Sequence, residues 1–193
     1  MPALEASDVS MRRCGRSLVQ RVSLTADRGE LLALCGAEGS GTRTLLHLLS
    51  GHLVADAGRV RVDGRERGPR RFPASPDPRA LAAGPAESAA LLATPGAASI
   101  LLLERPIAGS SRAEAHALLT AAQRRAAAGA AVVLAVETPE PVAAYATTVA
   151  LFVAGRLVSW GAPPVALVPA VHILSAGRDV GAAQAGSIMT SST

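Results

Sequence analysis

The chain has 193 residues and a formal net charge of +4, enough length for one domain with a buried core and a basicity that permits anionic contacts without requiring them. Aromatic residues make up only 2% of it, so leucine, valine and alanine must fill a thin core, and all 19 basic residues are arginines, leaving no lysine for chemistry. Two cysteines set no disulfide framework, the N-terminus lacks the basic-then-apolar plan of a secretion signal, and every apolar run falls short of the ~20 residues of a membrane helix. A soluble, cytoplasmic α/β protein is the expectation.

Residues 17–27 alternate as a hairpin-type strand, turn at Arg28-Gly29, and lead into the continuously apolar Leu31–Leu34, a buried strand ending at Cys35. Three glycines follow (Gly36, Gly39, Gly41), then Leu45, Leu46, Leu48 and Leu49 at helical spacing, with Gly51 suited to the helix end. "GRVRVDG" reads as a strand stopped by the Asp63-Gly64 turn. Residues 65–80 are charged, proline-rich and aperiodic at first, and are read as a loop. "RALAAGPAESAALLA" is expected to be helical, broken at Gly84-Pro85.

"SILLLERP" has the continuous apolar character of a strand buried on both faces. Ser111 with Glu114 makes a capping-box pattern that starts a helix running to about Ala128. "AAVVLAV" is another buried strand, and "TTVALFVAGRLVSWG" reads as two strands joined around Gly155. Ile100–Leu103 and Val132–Val136 are expected to be adjacent parallel strands flanking the one that ends at Cys35. Buried strands alternating with helices predict a parallel core sheet with flanking helices. The domain is expected to span 1–170, and residues 171–193, small and polar, to form a disordered tail.

The strand, glycine loop and helix have the order of a phosphate-binding P-loop, G-x-x-x-x-G-K-[ST], yet Thr42 stands in the lysine slot and Arg43 in the magnesium-binding hydroxyl slot. With the segments quoted above taken in order, the chain resembles the ATP-binding subunit of an ABC transporter. "VSLTADRGELLALCGAEGSGTRTLLHLLSGHLVADAGRVRVDG" is similar to that family's first sheet and Walker A region. "ILLLERPIAGSS" is similar to its Walker B and D-loop, "AAVVLAVET" to its switch-histidine strand, and "VALFVAGRLVSWGAPPVAL" to its closing hairpin. The resemblance covers roughly residues 5–168. It implies a P-loop NTPase-like parallel sheet beside an antiparallel β portion.

The resemblance holds at structural positions and lapses at chemical ones. Gly36, Gly39, Ser40, Gly41, Thr42, Arg43 and Thr44 would form the phosphate loop, whose N–H groups at a helix N-terminus attract an anion. A tight strand-to-helix turn would need the same glycines with no ligand at all. Glu104 falls where the family has the Walker B aspartate, and Arg105 where it has the general-base glutamate. Arginine cannot accept a proton at any accessible pH. Glu137 occupies the switch-histidine position, Ser111 replaces the D-loop aspartate, Leu81–Pro85 is the best remnant of the signature motif, and the adenine-stacking aromatic falls near Cys14.

No catalytic residue and no metal ligand is therefore expected. ATP is expected to bind weakly if it binds, without magnesium. About sixteen residues stand where the family places its glutamine loop and most of a helical subdomain. His47, His52, His116 and His172 show no metal spacing with the cysteines, and His47 is read as a helix-surface or packing residue.

Three readings stand. The first is a degenerate, non-hydrolysing ABC-like domain acting as a regulatory or interaction subunit. Its partner would be a competent ABC ATPase homologue or a transporter permease, which would also be its sole route to a membrane. The second is a weakly active ATP-binding subunit. The third is an arginine-rich binder of nucleic acid or anionic surfaces, resting on Arg59, Arg61, Arg65, Arg67, Arg70 and Arg71, for which a solvated face is the commoner explanation. A decayed relic is a fourth, bland possibility.

Overall fold

The structure, a computed structural model, describes residues 1–66, 79–94, 96 and 98–163. In chain order its elements begin with β1 (Leu4–Arg13), β2 (Arg16–Ala26), β3 (Leu31–Cys35), α1 (Thr42–Leu49), β4 (Ala57–Val62) and β5 (Arg65–Glu66). They continue with β6 (Arg79–Ala83), α2 (Gly84–Ala93), β7 (Ile100–Glu104), α3 (Arg112–Ala127), β8 (Ala131–Val136), β9 (Thr148–Val153) and β10 (Arg156–Gly161).

The strands of the described residues form two sheets. An antiparallel sheet runs in the order β2-β1-β4-β5, and a six-stranded sheet in the order β10-β9-β3-β8-β7-β6. In the larger sheet β9, β3, β8, β7 and β6 are parallel, and β10 closes the edge antiparallel to β9. Every residue of β3, β7 and β8 is buried, as continuous apolar runs covered on both faces require. Alternate side chains of β3 serve two cores. Leu32 and Leu34 pack with the α1 leucines and the antiparallel sheet, whereas Leu31, Ala33 and Cys35 pack toward α3.

Three expectations are corrected. β8 lies between β3 and β7, so β7 does not touch β3, whose second neighbour is β9. The hairpin at the N-terminus is β1 with β2, turning at Cys14 and Gly15, while β2 and β3 belong to different sheets. Arg79–Ala83, expected in a helix, is a strand paired in parallel with β7, and the helix starts only at Gly84, with Pro85 in its first turn. Alanine sets no period, so sheet pairing decides the first half of this segment. Pro85 lacks an N–H, which costs nothing in the first turn of a helix.

The loop expected over 65–80 is bounded by strand on both sides, since Arg65 and Glu66 form β5 and β6 begins at Arg79. Residues 67–78 and the expected tail at 171–193 lie outside the described residues. The capping box holds: the Ser111 Oγ accepts from the Glu114 N–H, and the Glu114 carboxylate accepts from the Ser111 N–H. Hydrogen bonding to the carboxylate, from the Ser111 side chain first and the Ser111 backbone N–H second, holds the Glu114 carboxyl below the usual carboxylate range.

Candidate functional site

Parallel pairing aligns the carboxyl ends of three strands, with Cys35 beside Val136 and Glu104 beside Ala135. A crevice outside such strand ends is where open α/β sheets take ligands. The loop after β3 starts from Gly36, whose N–H donates to the Val136 carbonyl at 3.1 Å. Ser40 N–H turns back to the Ala37 carbonyl at 2.9 Å, and the Ser40 carbonyl accepts from Gly155 N–H at 2.8 Å. Gly41 is the N-cap of α1 with φ 97°, and no side chain caps the helix. The first N–H groups of α1 therefore have no intrahelical partner.

The glycines have distinct reasons to be there. A Cβ on Gly36 would stand 2.5 Å from the Ser40 Oγ, and one on Gly41 would stand 2.3 Å from the Leu18 carbonyl oxygen. Gly39 has open space around it but a φ of +81°, a conformation that disfavours any L side chain. Internal packing thus accounts for Gly36 and Gly41 without a ligand. Thr42, in the lysine slot, is buried, and its Oγ1 lies 3.4 Å from the buried Ser40 Oγ.

Gly36, Gly39, Gly41, Thr42, Arg43, Thr44 and Glu104 all line one cleft of about 330 Å³, together with Glu38, Arg105 and Glu137. Ser40 lies beneath the loop and is buried. Two ion-pair groups cross the cleft. The buried Glu104 receives Arg43 Nε on Oε1 at 2.6 Å and His47 Nε2 on Oε2 at 2.7 Å. Arg105, in the left-handed region at φ 47°, places a guanidinium nitrogen 3.1 Å from Glu137 Oε1. Two of the cleft's carboxylates, Glu104 and Glu137, are therefore each paired with an arginine of the same cleft.

His47 belongs to this group, which corrects the reading of it as a mere surface or packing residue. The available signal was its position four residues after Arg43, which puts both on one helix face. Among the described residues, no three His, Cys, Asp or Glu side chains gather to hold a metal. Of the arginines at 59–71, Arg61 pairs with Glu5 at 3.5 Å, and Arg67, Arg70 and Arg71 lie outside the described residues. No described helix is long and apolar enough to cross a membrane.

A glycine loop joining a buried parallel strand to a helix, at the open end of a parallel sheet flanked by an antiparallel one, has the layout of a P-loop fold. Residues 19–80 match the ABC transporter family model. The chain is 45% identical over 80 residues to the hemin import ATP-binding protein HmuV of Rhodopseudomonas palustris, covering 42% of this chain and 28% of that one. It is 52% identical over 48 residues to the uncharacterized ABC transporter ATP-binding protein YvrA of Bacillus subtilis, covering 25% and 11% respectively. In each case the match spans less than a third of the relative's length.

In fold, an ATP-binding cassette of an ABC transporter in its ADP conformation superposes with a TM-score of 0.76 at 15% identity, covering 92% of this chain and 99% of that one. The cbiO1 protein of Clostridium perfringens, described as part of the ABC transporter complex cbiONQ, superposes at 0.70 and 15% identity, covering 93% and 94%. Over residues 19–80 the chain is thus similar in sequence to ABC transporter ATP-binding proteins, and over most of its length it shares the fold of ABC ATP-binding cassettes.

Proposed function

We propose that the chain is a degenerate ABC-type domain that keeps the fold, lacks ATP hydrolysis, and acts in the cytoplasm as a regulatory or interaction subunit. Its partner would be a hydrolysis-competent homologue or a permease, and it would reach a membrane only through that partner. The observation that carries this reading is the Arg105–Glu137 ion pair at 3.1 Å. Hydrolysis needs a group that takes a proton from water. The residue after Glu104 is a guanidinium that cannot do so, and the Glu137 carboxylate at the same end of the sheet is paired with it. Loss of a general base alone is typically worth ~10² to 10⁴ in rate.

Thr42 adds to the deficit. A buried hydroxyl facing Ser40 replaces a charged phosphate contact, a loss of roughly 1.5–3 kcal/mol. Nucleotide would therefore bind weakly, through loop N–H groups and without a lysine. Phosphate release from ATP tests the reading. Turnover at background in the wild type, unchanged in Glu104→Gln, is the expected result. Turnover that disappears in Glu104→Gln overturns it.

A further inference from the structure

Glu104 is the carboxylate that the resemblance assigns to magnesium, and its surroundings do not suit one. Both of its oxygens are taken, one by Arg43 at 2.6 Å and one by His47 at 2.7 Å. A carboxylate is an acceptor through both oxygens when ionised, so each contact is a donor pointing at it. A divalent cation at Oε1 would crowd against a guanidinium of like charge that offers no lone pair, and one at Oε2 would compete with His47 for the same oxygen. The hydroxyl that would be its second protein ligand is absent, because Arg43 itself fills that position. Thr42, one residue earlier, turns its hydroxyl to the Ser40 Oγ within the buried base of the loop.

We infer that Arg43 is an internal replacement for the metal: its guanidinium, with His47 beside it, occupies Glu104, and the cleft is independent of divalent cations. This rests on the reading of the cleft as a degenerate nucleotide site, and it names how that site is regulated. Magnesium gains entry only when Arg43 leaves. The geometry makes departure feasible. The Arg43 side chain is 74% exposed, whereas that of Glu104 is 7% exposed, so the cation is the mobile member and the carboxylate the fixed one. His47, 25% exposed, is a positioning residue that holds the second oxygen in place when Arg43 moves.

The test is thermal melting of the full chain with ATP, in magnesium and in chelator, for wild type, Arg43→Ser, and each combined with Glu104→Gln. The wild type melts at the same temperature in both conditions. Arg43→Ser, which frees Glu104 and restores a hydroxyl, gains a magnesium-dependent rise on the order of 2–5 °C, and adding Glu104→Gln removes it. A magnesium-dependent rise in the wild type that Glu104→Gln abolishes overturns the inference. So does an Arg43→Ser protein with no magnesium response. Arg43→Ser leaves the buried Glu104 with His47 as its partner, so its baseline melting temperature is lower, and the readout is the difference between magnesium and chelator within each protein. Failure here is separable from failure of the proposed function, since phosphate release would remain at background in either case.

Discussion

Arg43 Nε and Glu104 Oε1 stand 2.6 Å apart, tying the first turn of α1 to the end of β7. The pair is asymmetric, with a solvated cation and a buried anion. The carboxylate was desolvated when β7 was buried, so its remaining stability depends on the two donors that reach it. Glu104→Ala removes the acceptor but leaves Arg43 free to return to water. The expected cost is therefore below the 3–5 kcal/mol of breaking a fully buried pair, at about 1–3 kcal/mol. Urea denaturation of the two proteins measures it. An unchanged midpoint would mean that the pair contributes nothing to holding α1.

Cys35 is the better-protected of the two thiols. It is 1% exposed at the end of β3, and burial first and the charge of Glu140 second push its pKa up to about 12. The thiolate is the reactive species, so Cys35 stays unlabelled by thiol reagents near neutral pH while the exposed Cys14 reacts. The sign of the pH effect follows. A thiol with a raised folded pKa contributes stability that is fully present below the unfolded value near 9 and is lost as pH rises toward 12. Mass spectrometry after native labelling should find one adduct, on Cys14. Rapid modification of Cys35 would contradict the buried position of β3.

Sequence pattern carried the central sheet because β3, β7 and β8 are uninterrupted apolar runs, which leave few alternatives. It failed where a local irregularity hid the period. The buried positions of β1 are Leu4, Ala6, Val9 and Met11, and the alternation slips at the irregularity containing Asp8, whose φ is +50°. A scan for strict alternation misses such a strand. Strand order was also out of reach, since nothing in "AAVVLAV" says which apolar neighbours it will have. Within the cleft, residue identity could place Arg43 and Glu104 at the positions that the resemblance assigns. It could not show that they touch, because 57 residues separate His47 from the carboxylate it shares with Arg43.

Arg79 supplies a different kind of support for α1. Its guanidinium is buried at 3% exposure, and Nη1 donates to the Leu49 carbonyl at 3.0 Å, one of the carbonyls that a helix end leaves without a partner. The same guanidinium fills the space beside Gly51, where a Cβ would meet Nη2 at 2.8 Å. Arg79→Met keeps most of the apolar stem and loses the donor. The expected loss is roughly 1.5–3 kcal/mol for a charged hydrogen bond, read as a lower denaturation midpoint with an unchanged slope. Arg79→Lys should restore little of it, since a flexible point charge does not reproduce a planar fork.

The glycine loop allows one last separation, between what the fold needs and what a ligand would need. Gly39 and Gly41 share positive φ values of 81° and 97°, so alanine is strained at both by roughly 1–2 kcal/mol. They differ in surroundings. A Cβ at Gly39 meets nothing within 4 Å, while one at Gly41 would lie 2.3 Å from the Leu18 carbonyl oxygen and 3.1 Å from the Gly155 Cα. Both obstacles are backbone, and they belong to the antiparallel sheet and the closing hairpin, so neither can yield cheaply. Gly41→Ala should therefore be clearly the less stable protein, by a further 1–3 kcal/mol or so for overpacking, and Gly39→Ala should fold with the loop lightly strained. Comparing their melting temperatures decides this. Equal losses would mean that the loop can lift away from Leu18, and that the close packing around Gly41 does not constrain the entrance to α1.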